Sequence, residues 1–195
     1  MSSQQTQRST VDEATVEALK QRSEAAFTRV FREFEKPVYS LAYRILNSEA
    51  EALDVMQDTF VLAFRRISQF RGGHFWSWLR TIAVNQALTQ LRRQRRRPAL
   101  APLGEAMDPP ERQAAAGVAL DLSAAFARLG DQTRAVLWLY DVEGYSHQEI
   151  ARLFDRSESF SKTQVSRAHK QLREWLAADD EENACPNLNN LPARA

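Results

Sequence analysis

Apolar residues in the first half of the chain recur at steps of three and four, the period of a helix packed along one side. Phe27, Phe31, Phe34, Val38, Leu41 and Ile45 form the first such stripe, and a row this bulky predicts core. Pro37 falls inside it. Proline lacks a backbone donor and crowds the preceding turn, which predicts either a kink or two helices meeting near Lys36. Asn47 and Ser48 close the element, and Ser48 with Glu51 three residues on predicts a capping box opening another helix. In that helix Leu53, Met56, Phe60, Phe64 and Ile67 are expected to face inward, with Asp54, Gln57 and Asp58 on a separate polar arc. Gly72 and Gly73 then break the pattern and leave Arg71 and His74 in a loop.

The segment over 75–97, FWSWLRTIAVNQALTQLRRQRRR, is apolar around most of a helical wheel, as suits a helix sunk in a core. One stripe stays polar: Ser77, Thr81, Asn85, Thr89 and Arg92 share a face, bordered by Trp78. The helix ends in Arg92, Arg93, Arg95, Arg96 and Arg97. Hydrogen bonders, an aromatic and a cationic end together suit single-stranded nucleic acid. A buried helix with a solvated stripe and a basic tail would read the same way, so the decision falls to context.

After Arg97 the pattern dissolves into Pro98, Pro102, Pro109, Pro110, Gly104 and Gly117, the composition of a linker. Helical spacing resumes with Leu120, Leu122, Phe126 and Leu129, and Gly130 stops it. Val136, Leu137 and Leu139 predict a helix ending at Gly144; Ser146 with Glu149 is a second capping box, opening a short helix with Ile150, Leu153 and Phe154 inward. Asp155 tolerates the turn, and Ser157 or Ser159 starts a long helix with Ser161, Val165, Ala168, Leu172 and Trp175 or Leu176 on its buried side. Ser161 is polar there, and its hydroxyl is expected to bond back to a carbonyl one turn earlier. The opposite side presents Ser159, Lys162, Thr163, Ser166, Arg167 and Lys170, short polar groups interleaved with cations, as a helix in a major groove requires.

These patterns predict an all-α chain: two small helical domains joined by a flexible linker, the C-terminal one a helix-turn-helix. The expected divisions are a flexible N-terminus over 1–20, a helical domain over 21–97, the linker over 98–118, the helix-turn-helix domain over 119–178 and a disordered acidic tail over 179–195.

Composition sharpens this reading at one place. Lys+Arg 26 against Asp+Glu 25 gives a net charge of only +1. Yet no carboxylate occurs from Thr59 to Gly104, where nine arginines stand and the chain average would put roughly six acids. Cys185 is the only cysteine, which excludes an intrachain disulfide and a Cys-based zinc site and fits a reducing cytoplasm. The N-terminus has no apolar targeting core and no 18 apolar residues run together, so export and a membrane span are not expected. Asp54 and Asp58 lack a neighbouring His, Ser or Cys to complete an acid-base site, and His74 lacks a second metal ligand. With no Gly-rich phosphate loop or nucleophile triad either, neither an enzyme nor a cofactor or metal is expected.

Three motifs together resemble the extracytoplasmic-function sigma factors of bacterial RNA polymerase. ALDVMQDTFVLAF over 52–64 is similar to the family's polymerase-docking segment, and FRGGHFWSWLRTIAVNQA over 70–87 to its minus-ten reading and melting element. YDVEGYSHQEIARLFDRSESFSKTQVSRAHKQLR over 140–173 is similar to the helix-turn-helix that reads the minus-thirty-five element. The resemblance implies that Asp54, Gln57 and Asp58 dock on the clamp region of the polymerase core. It also implies that Arg71, Trp76, Trp78, Arg80, Thr81, Asn85, Arg92 and Arg93 meet minus-ten DNA, first as duplex and then as the non-template single strand. Ser159, Lys162, Thr163, Ser166, Arg167 and Lys170 stand where the upstream element is read, and an anti-sigma factor is implied as a further partner. Two places depart from the family pattern: Leu53 stands for an acidic residue, and Ser159-Phe160 for the Gly-Thr that usually opens the recognition helix. The competing classes are a free-standing helix-turn-helix regulator and a helical protein-binding module. Neither accounts for two unlike basic surfaces on one chain.

Overall fold

The computed structural model describes residues 11–96 and 118–184, and it forms two compact units divided between Leu100 and Ala101. Among the described residues there is no strand. In the first unit α1 spans Glu13–Lys20, α2 Glu24–Leu46, α3 Glu49–Arg65 and α4 Phe75–Arg96, with a single 3-10 turn over Ile67–Gln69. In the second, α5 spans Val118–Arg128, α6 Asp131–Leu137, α7 His147–Phe154 and α8 Glu158–Ala184, with a π-helical turn over Trp138–Val142.

The expectation of a flexible stretch over 1–20 is corrected by α1. Asp12 caps it by accepting the Thr15 amide at 2.7 Å, and Thr15, Val16 and Leu19 are buried against the first unit. Arg29 of α2 donates to Thr15 Oγ1 at 3.1 Å. Eight residues with so few apolar positions carry too little periodicity to read, and a helix this short is held by tertiary packing rather than propensity. Residues 1–10 lie outside the described residues.

Of the two outcomes expected at Pro37, the meeting of two helices near Lys36 does not occur: α2 runs through it as one element. Phe34, Val38 and Leu41 on either side are almost fully buried, and that packing offsets the missing backbone bond. Phe27 is the exposed end of the predicted stripe, with its ring 3.8 Å from that of Phe64.

In α3 the buried stripe is shifted from the expected one. Ala52, Val55, Thr59, Phe60 and Ala63 face the core, Met56 and Phe64 are half-buried, and Leu53 is 45% exposed. The expectation favoured large apolar residues, whereas small ones let α3 approach α2 and α4 closely. Thr59 joins them because its hydroxyl donates to the Val55 carbonyl at 2.7 Å and leaves no unmet polar group. Ser48 caps α3 as predicted, accepting the Glu51 amide at 3.4 Å. The Glu51 carboxylate does not complete the box; it is held by Gln90 and Gln94 of α4.

In the second unit α8 packs against α5, α6 and α7. Arg134, 2% exposed, is accommodated because it donates to the Leu129 carbonyl at 3.0 Å and pairs with Asp131 at 2.9 Å. The linker expected over 98–118 falls outside the described residues except for Val118, which already belongs to α5. The tail boundary is also corrected: α8 continues to Ala184, since no proline or glycine stands between Ser157 and Cys185 to end it. Residues 185–195 lie outside the described residues.

The register of α3 is testable by one substitution at two depths. Leu79 of α4 is fully buried, and Leu79→Ala should lower the unfolding free energy by about 2–5 kcal/mol. Leu53→Ala, on the exposed side, should change it by only about 0.5 kcal/mol. Urea denaturation of both variants decides; a Leu53 loss as large as that at Leu79 would return Leu53 to the core.

Candidate nucleic-acid interface

α4 is buried along Phe75, Leu79, Ile82, Ala83, Val84, Ala87, Leu88 and Leu91. What remains open is the predicted stripe: Ser77, Thr81, Asn85 and Arg92 are exposed and Thr89 is half-buried. Three of its polar groups donate to the carbonyl one turn back. Thr81 bonds Ser77 O at 2.9 Å, Asn85 bonds Thr81 O at 2.8 Å and Thr89 bonds Asn85 O at 2.7 Å. A threonine hydroxyl that has donated its proton still has lone pairs to offer, as does the Asn85 Oδ1, so the face presents acceptors to whatever meets it.

The two tryptophans are placed differently. Trp78 borders the stripe with its ring 5.5 Å from both Phe70 and Phe75, which fix its orientation while it stays half-buried. Trp76 stacks nearly parallel on Phe34 of α2 at 5.8 Å. At about 100° per residue it lies roughly 160° round the helix from the middle of the stripe, so the two are not one surface. Arg80 is half-buried, whereas Arg71 is exposed in the loop that Gly72 and Gly73 form at φ 96 and 90, a backbone open to glycine. Arg92, Arg93, Arg95 and Arg96 are all exposed at the end of the helix; Arg97 lies outside the described residues.

On α3, Asp54, Gln57 and Asp58 are exposed together, as their spacing predicts. Leu53 and Val61, 45% and 50% exposed, flank them. The candidate docking face is therefore acidic with apolar borders, a feature missed in the sequence because Leu53 fits an inward period as well as an outward one.

In the second unit the helix-turn-helix forms as its caps predict. Ser146 accepts the Glu149 amide at 3.2 Å while the Glu149 carboxylate accepts the Ser146 amide at 2.8 Å. Asp155 takes the left-handed turn at φ 54, and Ser157 caps α8 by accepting the Phe160 amide at 3.3 Å. Phe160 packs its ring 5.8 Å from Phe154 of α7, so the departure from Gly-Thr at the start of α8 ties the two helices together. Ser159, Lys162, Thr163, Ser166, Arg167 and Lys170 are all exposed. Lys162 pairs with Glu158 at 2.8 Å and Lys170 with Glu174 at 3.8 Å, exposed partners of small worth that phosphate can displace. The hydrogen bond from Lys162 holds the Glu158 carboxyl below its ordinary value.

Ser161 is fully buried, and its partner is not a carbonyl of its own helix, as expected, but His147 Nδ1 of α7 at 3.0 Å. The His147 ring in turn stacks on Tyr140 at 4.2 Å, and His169 Nε2 meets Asp141 at 2.7 Å. Tyr140, His147, His169 and Arg173 join Lys162 and Ser166 around an open groove of about 590 Å³. Tyr140 and His147 escaped sequence reading because they come from two other elements, whereas His169 and Arg173 continue the steps of three and four from Lys162 and Ser166 along α8, a signal that could have found them. Among the described residues no group of His, Cys, Asp and Glu is arranged to hold a metal, and no helix is long and apolar enough to cross a membrane.

Sigma-70 region 2 matches residues 30–97, and Sigma-70 region 4 matches residues 119–172. The chain is 32% identical over 167 residues to the ECF RNA polymerase sigma factor SigE of Mycolicibacterium smegmatis, covering 82% of this chain and 65% of that protein. It is 32% identical over 152 residues to the ECF RNA polymerase sigma factor SigM of Mycobacterium tuberculosis, covering 77% of each. A solved structure of the sigma factor RpoE of Bartonella quintana, in complex with the anti-sigma factor NepR, superposes with a TM-score of 0.56 at 24% identity, over 78% of this chain and 98% of that one, a likeness of fold. The stripe of α4 and the face of α8 both lie inside the matched regions, and the chain belongs to the ECF sigma factors of the sigma-70 family.

Proposed function

We propose that this sigma factor divides its work among three surfaces. The exposed face of α3, with Asp54, Gln57 and Asp58 bordered by Leu53 and Val61, docks on the clamp region of the polymerase core. The stripe of α4, with Trp78 beside it and Arg71, Arg92 and Arg93 around it, captures the non-template strand of the minus-ten region as it opens. The outer face of α8 reads the minus-thirty-five element in the major groove. The observation that carries this reading is the stripe itself: a helix buried on most of its circumference keeps one uncharged polar face open and ends in a run of arginines.

The work is binding rather than catalysis. Unstacking costs a few kcal/mol per base step, and stacking with pocket contacts on the captured base offsets it. Two DNA-reading surfaces on one chain raise each other's effective concentration, so neither has to bind tightly alone. Such a factor works in the cytoplasm. The Bartonella relative was solved with an anti-sigma factor, and we assign this chain an inhibitor of that kind. A free-standing regulator would have no use for the acidic docking face.

Transcription from a panel of point-mutated promoters tests the recognition helix. Arg167→Ala should weaken binding at the upstream element by about 1–3 kcal/mol and relax its sequence preference. Lys170→Ala should weaken all sequences nearly equally, as expected of a group that meets phosphate. An Arg167→Ala factor with every preference intact would show that the helix is turned the other way.

Docking is tested separately. Asp54→Ala with Gln57→Ala should abolish transcription and core binding while thermal stability stays unchanged, because both side chains point away from the core of the unit. Unchanged core affinity, or a collapse in stability, would sink the assignment.

Strand opening is tested with permanganate. Trp78→Ala and Asn85→Ala should slow the appearance of reactive thymines, and a premelted bubble template should restore much of the loss, since stacking worth about 1–3 kcal/mol per base is available only after unpairing. Removing Arg92 and Arg93 should instead flatten the salt dependence of initial binding, by a log-log slope of roughly 0.7–0.9 for each phosphate they neutralise. Trp76→Ala should act mainly through stability, by loss of its stack on Phe34. If a bubble restores nothing to Trp78→Ala or Asn85→Ala, the stripe is not the melting surface.

A further inference from the structure

Glu51 stands in the first turn of α3, where the helix dipole favours a carboxylate, yet its oxygens turn to another helix. Oε1 accepts Gln90 Nε2 at 3.3 Å, and Oε2 accepts Gln94 Nε2. The two glutamines are one turn apart on α4, so amides from a single face close on both oxygens of one carboxylate across 39 and 43 residues of sequence. All three side chains are half-buried. Gln94 is also the one position in the run from Arg92 to Arg97 that is not arginine.

The geometry of α4 gives this clasp its importance. At about 100° per residue, the face carrying Gln90 and Gln94 lies opposite Thr81, Asn85, Arg92 and Arg96. Gripping one side of the last two turns therefore fixes which way the arginines at the end of the stripe point. Beyond Leu91 no buried apolar residue of α4 remains to do so. On its own helix Glu51 precedes Asp54 by three residues and Asp58 by seven, so the same side of α3 carries both the clasp and the docking carboxylates.

We infer that Glu51 is a positioning residue: through Gln90 and Gln94 it sets the rotation of the DNA-facing end of α4 relative to the docking helix α3. The inference rests on the assignment of α3 to polymerase and α4 to the melted strand. Docking and strand capture then share one rigid joint. Polymerase that holds α3 thereby also aims the arginine end of the stripe.

The test uses the full chain with polymerase core on a duplex promoter, comparing Glu51→Ala, Gln94→Ala, the double variant and Glu51→Gln. Glu51→Ala should slow promoter opening roughly five- to tenfold, and the double variant should be no slower, because both substitutions open the same clasp. Glu51→Gln, whose amide both accepts and donates, should recover most of the rate. Core affinity and thermal stability should stay within the spread of repeat measurements. Opening at the unsubstituted rate in Glu51→Ala, losses that add in the double variant, or a parallel fall in core affinity or folded fraction would each overturn the inference. An unsubstituted chain that fails to open the promoter with core would overturn the functional assignment instead.

Discussion

Everything the first unit does depends on the depth at which α4 is seated. Eight of its apolar side chains are buried against α2 and α3, and a helix enclosed to that extent can leave open only a narrow strip of its circumference. The strip is then defined by the core rather than by its own residues. Ser77, Thr81 and Asn85 reach solvent because Leu79, Ala83, Val84, Ala87 and Leu88 cannot. The small residues of α3 serve the same end: Ala52, Thr59 and Ala63 let the helices close up, and the larger Leu53 and Val61 are turned outward beside Asp54, Gln57 and Asp58.

The second unit obtains its surface differently, through polar groups that lock two helices together. The Ser146–Glu149 box starts α7, Asp155 makes the left-handed turn, and Ser161 of α8 meets His147 at the first residue of α7. A buried hydroxyl with a partner of fixed position sets register as well as distance, because sliding α8 by one residue would leave both groups unmet. The Phe154–Phe160 pair pins the same corner on its apolar side. The outer face of α8 is thereby presented by a frame that does not rely on its own charged residues.

Much of this was legible in the sequence, and the failures share a cause. Caps, breaks and the polar stripe were readable because each is local: Ser48, Ser146 and Asp155 act within four residues, and the α4 stripe repeats at a fixed period. What could not be read depends on partners distant in sequence. α1 exists because Arg29 and the first unit receive it. Glu51 leaves its own helix end for glutamines some forty residues away, Ser161 reaches His147, and Trp76 is drawn to Phe34 rather than to the strip it adjoins in sequence. In α3 the ambiguity was one of size: periodicity weighs a leucine above an alanine, whereas close packing here selected the alanine.

The back-bonding along α4 has a consequence for discrimination. Thr81 and Thr89 each direct their only hydroxyl proton into the preceding turn, and Asn85 directs one amide hydrogen there, so the middle of the strip is richer in lone pairs than in donors. A phosphate, which offers only acceptors, finds little there and is left to the arginines. The edge of an unpaired base, which brings its own donors, would under the proposed role meet open lone pairs and could then exchange the internal bonds for its own. In the role proposed for it, the resting helix would be selective by being self-contained, indifferent to the outside of a duplex and open to what a duplex hides.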